Sequence, residues 1–98
     1  MFTWTSSLFV WIESIIFTQM PTILFINGFR FFFFSGDRNE PPHIHVKKGD
    51  GDGKIWLLPE VRVEYLVAFK KQEESEIIEI VKENQERLTE KWYEYFGK

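Results

Sequence analysis

Residues 23–34 read ILFI-NG-FRFFFF, two apolar runs separated by Asn27-Gly28. A two-residue turn of type I′ needs positive φ at both positions, and asparagine and glycine tolerate that conformation best. Apolar runs on either side of such a turn are typical of an antiparallel β-hairpin. The second run is aromatic on both faces, so we expect it to lie centrally in a sheet that is covered on each side.

Arg30 interrupts the aromatic run and, as a strand residue, shares a face with Phe32 and Phe34. A buried guanidinium group needs a carboxylate partner, because the cost of removing its charge from water is otherwise large. We therefore expect Arg30 to emerge at the end of the strand or to pair with Asp37 or Glu40.

The next element begins in residues 40–46, which read EPPHIHV and contain both histidines of the chain. The diproline fixes φ and disfavours a helix, so the chain reaches His43 extended. From there polar and apolar residues alternate as in a half-buried strand, which places His43 and His45 on one face. Two histidines in this arrangement could bind a metal ion or act as an acid and a base. The alternative is a pair of solvent-exposed side chains on the wet face of a strand.

Two more strands are predicted at 54–58 and 61–65, the first of them after a Gly/Asp turn within residues 47–54. From about Lys71 apolar residues recur at helical steps, with a bend expected near residues 84–87 where the apolar stripe thins. The aromatic end of this region should pack on the sheet. The predicted fold is α+β: a small antiparallel sheet of four to five strands with a C-terminal helix or helices packed on one face.

Composition limits the function. The chain has 98 residues, a formal net charge of −3 and no cysteine, which excludes disulfides and thiolate metal sites and argues against indiscriminate nucleic-acid binding. We divide it into an apolar N-terminal extension at 1–19, a short helix or a mis-assigned start, and a single domain at 20–98. The apolar run Leu8–Phe17 is too short to span a bilayer, and no basic residue precedes Arg30 as a secretory signal would require. The predicted location is the cytoplasm, without a membrane partner.

From Met20 to Gly97 the chain resembles a bacterial family known as domain of unknown function 4160. The resemblance is carried by MPT at 20–22, GFRFFFFS at 28–35, EPPHIHV at 40–46, KIWL at 54–57 and WYEYFG at 92–97. It implies a small α+β protein without an established activity, of a kind often suggested to belong to two-gene, toxin–antitoxin-like pairs with a small partner protein encoded nearby. The family's characteristic positions correspond here to Arg30, Glu40, Pro41, Pro42, His43 and His45.

Three hypotheses compete for this site. In the first, His43 and His45 act as general base and general acid, for instance on RNA, and Arg30 holds a phosphate or stabilises the transition state. In the second, the histidines and a carboxylate, Glu40 or Asp37, bind a divalent metal. In the third, an Arg30–Glu40 pair fixes the loop and the domain binds a protein partner without catalysis. The candidate site residues are Arg30, Glu40, His43 and His45, with His43 and His45 as the metal ligands of the second hypothesis.

Overall fold

The structure, a computed structural model, describes residues 22–97. Five antiparallel strands form one open sheet, and every strand pairs with its neighbour in sequence. Two helices follow, so the predicted α+β fold is confirmed. The elements are β1 (Thr22–Ile26), β2 (Phe29–Phe32), a 3₁₀ helix (Ser35–Asn39), β3 (His43–Lys48), β4 (Gly51–Trp56), β5 (Arg62–Val67), α1 (Lys71–Glu83) and α2 (Gln85–Phe96).

The predicted extension at 1–19, with its apolar run, lies outside the described residues. Within 22–97, no helix is long and apolar enough to cross a membrane.

The β1–β2 hairpin turns where the sequence predicts it. Asn27 and Gly28 have φ values of 52° and 84°, as a type I′ turn requires. The pairing of Phe25 with Arg30 and of Ile26 with Phe29 continues directly from this turn. The Asn-Gly dipeptide therefore sets the register of the first two strands.

The turn predicted within residues 47–54 is shorter than expected. Strand pairing continues to Lys48 opposite Gly51, so the turn consists of Gly49 and Asp50 alone. Gly51 and Gly53 belong to β4. A side chain at Gly53 would collide with Leu66 of β5 and Val46 of β3. Here glycine permits close packing within the sheet, a role that composition alone does not distinguish from a turn.

The helices cover one face of the sheet and enclose its apolar side chains. Phe33, for example, is fully buried against the rings of Trp92 and Phe96, with centroids 5.3 and 5.9 Å away. The expected packing of the C-terminal aromatic residues on the sheet is confirmed for these two, whereas Tyr93 is 41% exposed. The core comprises Phe29, Phe31, Phe33, Ile44, Val46, Ile55, Leu57, Ile77, Ile80, Val81, Leu88, Trp92 and Phe96.

The predicted bend in the helical region lies at Asn84, between α1 and α2. The Asn84 side chain donates a hydrogen bond to the Ile80 carbonyl at 2.8 Å and satisfies an acceptor at the end of α1. The Asn84 carbonyl accepts the Leu88 N–H at 2.8 Å and starts α2. A single asparagine thus ends one helix and begins the next.

Glu73 caps the start of α1. Its carboxylate accepts the backbone N–H of Lys70 at 2.9 Å, and this bond, assisted by Lys48, lowers the pKa of Glu73 below its ordinary value of 4.5 despite the opposing effect of burial. A lowered carboxyl pKa stabilises the fold above pH 4.5, and the stabilisation is lost as the pH falls through the lowered pKa.

We expect Glu73→Gln to lower the melting temperature at pH 7 and to match the parent chain in acid. Glu79→Gln, on the exposed side of the same helix, is the control; equal losses at every pH in Glu73→Gln would contradict the prediction.

Candidate functional site

The two histidines lie side by side on the face of β3 that does not carry the core residues Ile44 and Val46, and His43, at the start of the strand, also contacts Trp92 of α2. In the register, His45 lies between Phe32 and Lys54, and His43 lies opposite Trp56. We call the surface formed by these five residues the histidine face. The imidazole centroids are 5.0 Å apart, as expected for neighbours on one side of a strand.

Neither histidine is exposed: His43 has 0% and His45 5% of its surface accessible. The alternative of two solvent-exposed histidines is therefore wrong. Aromatic rings account for much of the cover. Apart from the other imidazole, the ring centroids nearest to His45 are those of Phe34 at 4.5 Å and Phe32 at 5.6 Å. Those nearest to His43 are Trp92 at 5.1 Å and Trp56 at 5.3 Å.

Asp37, in the 3₁₀ helix, places one carboxylate oxygen between the two rings. Its Oδ2 atom is 3.0 Å from Nε2 of His43 and 3.0 Å from Nε2 of His45. Only the contact with His45 has hydrogen-bond geometry. Because an ionised carboxylate can only accept, the Nε2–H of His45 is the donor.

The other nitrogen of His43 fixes its tautomer. Nδ1 is 3.0 Å from the carbonyl oxygen of Pro41, which can only accept, so in the neutral ring Nδ1 carries the proton. The lone pair of Nε2 then faces the Asp37 oxygen, which is also rich in electrons. Nε2 of His43 and Nδ1 of His45 are buried without a hydrogen-bond partner among the described residues. Buried polar atoms of this kind ordinarily have a partner. A bound cation or a proton between Nε2 of His43 and the Asp37 oxygen would supply one.

Burial lowers the pKa of His45, and the nearby His43 lowers it further, while Asp37 acts in the opposite direction. At neutral pH the His45 ring is therefore neutral, the form in which imidazole binds metals.

The predicted site residues Arg30 and Glu40 have other contacts. Nε of Arg30 donates to the Thr22 hydroxyl at 2.7 Å, and its guanidinium carbon lies 4.4 Å from the ring centroid of Phe32. Glu40 Oε1 accepts from Lys54 Nζ at 2.8 Å and lies 3.6 Å from Nδ1 of His43. Glu40 is thus beside His43, on the side of the ring away from Asp37.

Among residues 22–97, one group of three residues could hold a metal ion. A ligand atom from each of Asp37, His43 and His45 lies within 4.8 Å of the other two. From the sequence, Asp37 and Glu40 were equivalent candidates for the carboxylate ligand. In the structure Asp37 lies next to both histidines, whereas Glu40 lies next to His43. Sequence reasoning did not identify Lys54, Trp56 or Trp92 as neighbours of the histidines, because each comes from another element and carries no pattern of its own.

A family model described as Domain of unknown function (DUF4160) matches residues 28–93, a span that contains the whole of this site. No curated protein and no solved structure is similar enough to count as a match.

Proposed function

Because the chain belongs to the family of domain of unknown function DUF4160, whose description names no activity, we propose a function from its site: it binds a divalent transition-metal ion through Asp37, His43 and His45. One observation carries the proposal. A single oxygen of Asp37 lies 3.0 Å from the Nε2 atoms of both histidines, and one of those nitrogens presents an unpartnered lone pair.

The two distances from the Asp37 oxygen are close to those of a loaded site. In a tetrahedral zinc site with bonds of about 2.0–2.1 Å, neighbouring ligand atoms are about 3.3 Å apart. Each oxygen–nitrogen pair therefore needs to separate by a few tenths of an ångström to admit the ion, while the ligand atoms of the two histidines, within 4.8 Å of each other, would have to reach the same spacing. The positive charge would replace the contact between the His43 lone pair and the Asp37 carboxylate with two attractive bonds, and the Nε2 proton of His45 would move to the unpartnered Nδ1 so that His45 could also bind through Nε2.

The surroundings also suit a ligand. Metal-binding histidines commonly donate their second N–H to a carbonyl or carboxylate, which fixes the ring in the binding orientation. The Pro41 carbonyl accepts that bond from His43 at 3.0 Å. The rigid diproline that precedes β3 thus positions both the strand and the acceptor.

Two imidazoles and one carboxylate favour zinc and its neighbours over magnesium or calcium, which prefer oxygen ligands. Three protein ligands would leave a tetrahedral ion one position for a non-protein ligand.

Metal binding is tested on chelator-treated protein without a histidine tag, by titration calorimetry with Zn²⁺ and by visible absorption with Co²⁺. We expect one ion per chain, a tetrahedral Co²⁺ spectrum and no heat with Mg²⁺ at the same concentration. Asp37→Asn, which keeps the side-chain shape, and His43→Ala should each weaken Zn²⁺ binding by more than about 100-fold, since each removes a direct ligand.

Asp50→Asn is the matched control, because Asp50 is an exposed aspartate in the β3–β4 turn. Circular dichroism at the titration temperature shows whether each variant is folded. Unchanged Zn²⁺ affinity in folded Asp37→Asn, or no Zn²⁺ binding by the parent chain, would refute the proposal.

Acid–base chemistry on RNA by His43 and His45 stays a prediction, and it requires that a substrate reach two rings that are buried here. Membership of a toxin–antitoxin-like pair, a small partner protein encoded nearby, and a bacterial, cytoplasmic location stay predictions as well.

Induced expression of the parent chain, His43→Ala and His45→Ala would test the RNA hypothesis, with growth and RNA integrity as the measurements. RNA cleavage by the parent alone, with both variants folded, would support it.

A further inference from the structure

The segment that covers the histidines has little apolar attachment of its own. We call residues 35–42, which form most of the connection from β2 to β3, the strap. The 3₁₀ helix within it, Ser35–Asn39, contains no buried residue. Segments with few buried apolar contacts open at low free-energy cost compared with core strands and helices.

The strap is anchored at both ends. Phe33, two residues before its start, is fully buried in the core. At its other end the Pro42 carbonyl accepts the Leu57 N–H at 3.0 Å. The residues between these anchors can therefore move away without breaking the sheet.

Between the anchors, the carboxylates of Asp37 and Glu40 connect the strap to the sheet, together with the Pro41 carbonyl, which accepts from His43 Nδ1 at 3.0 Å close to the Pro42 anchor. Asp37 reaches inward to both histidines and also accepts the Phe34 N–H at 3.1 Å. Glu40 pairs with Lys54, and the Glu40 side chain is 46% exposed. An ion pair as exposed as this contributes little, because water and salt screen it. The Asp37 side chain, 14% exposed, is the stronger connection.

We propose that Asp37 is the latch of the strap, and that a metal ion bound by Asp37, His43 and His45 holds the strap closed over the histidine face. The metal part of this inference rests on the proposed function. Without the ion, the middle of the strap is retained by the hydrogen bond from His45 to Asp37 and by the weaker contacts of Glu40 and Phe34, while the hydrogen bond from His43 holds the Pro41 carbonyl at its end. Opening would remove Asp37 from the Nε2 atoms of both imidazoles, so metal occupancy would control access to these two nitrogens.

Arg38 provides a direct readout of strap opening. It lies in the 3₁₀ helix next to Asp37 and is exposed. A protease, however, binds its substrate in an extended conformation. Trypsin can therefore cut after Arg38 only when the strap opens. When the strap opens and closes quickly compared with cleavage, the cleavage rate follows the population of the open form. Lys48, at the β3–β4 turn, is an internal control site whose cleavage does not require strap opening.

The experiment measures trypsin cleavage by mass spectrometry in the full chain, with chelator or with Zn²⁺. Trypsin activity at each Zn²⁺ concentration is calibrated on an unrelated substrate. In the metal-free state Asp37→Asn should raise the rate after Arg38 by about tenfold or more, because it removes a charge-assisted hydrogen bond from a largely buried group. Zn²⁺ should slow this cleavage by at least a similar factor in the parent chain and leave Asp37→Asn unaffected. Glu40→Gln and Asp50→Asn should change the rate about twofold at most.

The outcomes separate the two proposals. Zn²⁺ binding by calorimetry without protection at Arg38 would overturn metal control of the strap and leave the metal site intact. An Asp37→Asn rate equal to that of the parent in chelator would overturn the latch. If the parent binds no Zn²⁺, the proposed function and the metal control fail together, while faster cleavage of Asp37→Asn would still establish Asp37 as the latch. Equal acceleration after Arg38 and Lys48 would indicate general unfolding and would also overturn the latch.

Discussion

Zn²⁺ is expected to raise the melting temperature of chelator-treated protein by about 10–20 °C when its free concentration is about 100 times the dissociation constant. Preferential binding to the folded state then adds about 2.7 kcal/mol, and each kcal/mol shifts the midpoint of a domain of this size by about 4–8 °C. The ligands come from β3 and from the strap, which an unfolded chain does not hold together. Differential scanning calorimetry with and without a chelator measures the shift.

Asp37→Asn should remove most of this shift, whereas Asp50→Asn should retain it. Mg²⁺ at the same concentration should have little effect on either chain, because its ligand preference is for oxygen. An equal Zn²⁺ shift in Asp37→Asn and the parent chain would show that the ion binds elsewhere.

Phe33→Ala should destabilise the domain by about 3–5 kcal/mol, the usual cost of removing a buried aromatic ring and leaving a cavity. Phe33 is fully buried, and its ring contacts Trp92, Tyr95 and Phe96 of α2. Such a loss is a large part of the 5–15 kcal/mol typical of a whole domain. Urea unfolding followed by circular dichroism gives the free energy directly.

Phe25→Ala is the matched control for this substitution, since it removes the same side chain from a position that is 68% exposed. We expect it to cost less than about 1 kcal/mol. A Phe33→Ala loss no larger than that of the control would contradict the assignment of Phe33 to the interface between the sheet and α2.

Local chemistry explains which parts of the fold the sequence predicted. Asn27-Gly28 determined the first hairpin, because few other dipeptides accept two positive φ values. The thinning of the apolar stripe located the helix break at Asn84. Gly51 and Gly53 were assigned to a turn although they belong to β4, since glycine serves close packing as readily as turns.

The site was predicted less completely than the fold. Alternation in β3 placed His43 and His45 together, but it could not predict their burial. That burial depends partly on Phe34 and Trp92, which meet the histidines only in the folded chain. The choice between Asp37 and Glu40 was likewise undetermined, because a short 3₁₀ helix has no hydrophobic period from which its orientation could be read.

The strand order has a consequence for how the domain folds. Within residues 22–97 each strand pairs with the next one along the chain, from β1 to β5. Every pairing can therefore form by closing a short loop, and loop-closure entropy is small for such contacts. Low contact order favours rapid folding for a sheet of this size, with hairpins that form early and helices that dock on them. In such a sequence of events the histidines come together with β3 and β4, before α2 brings Trp92 against them.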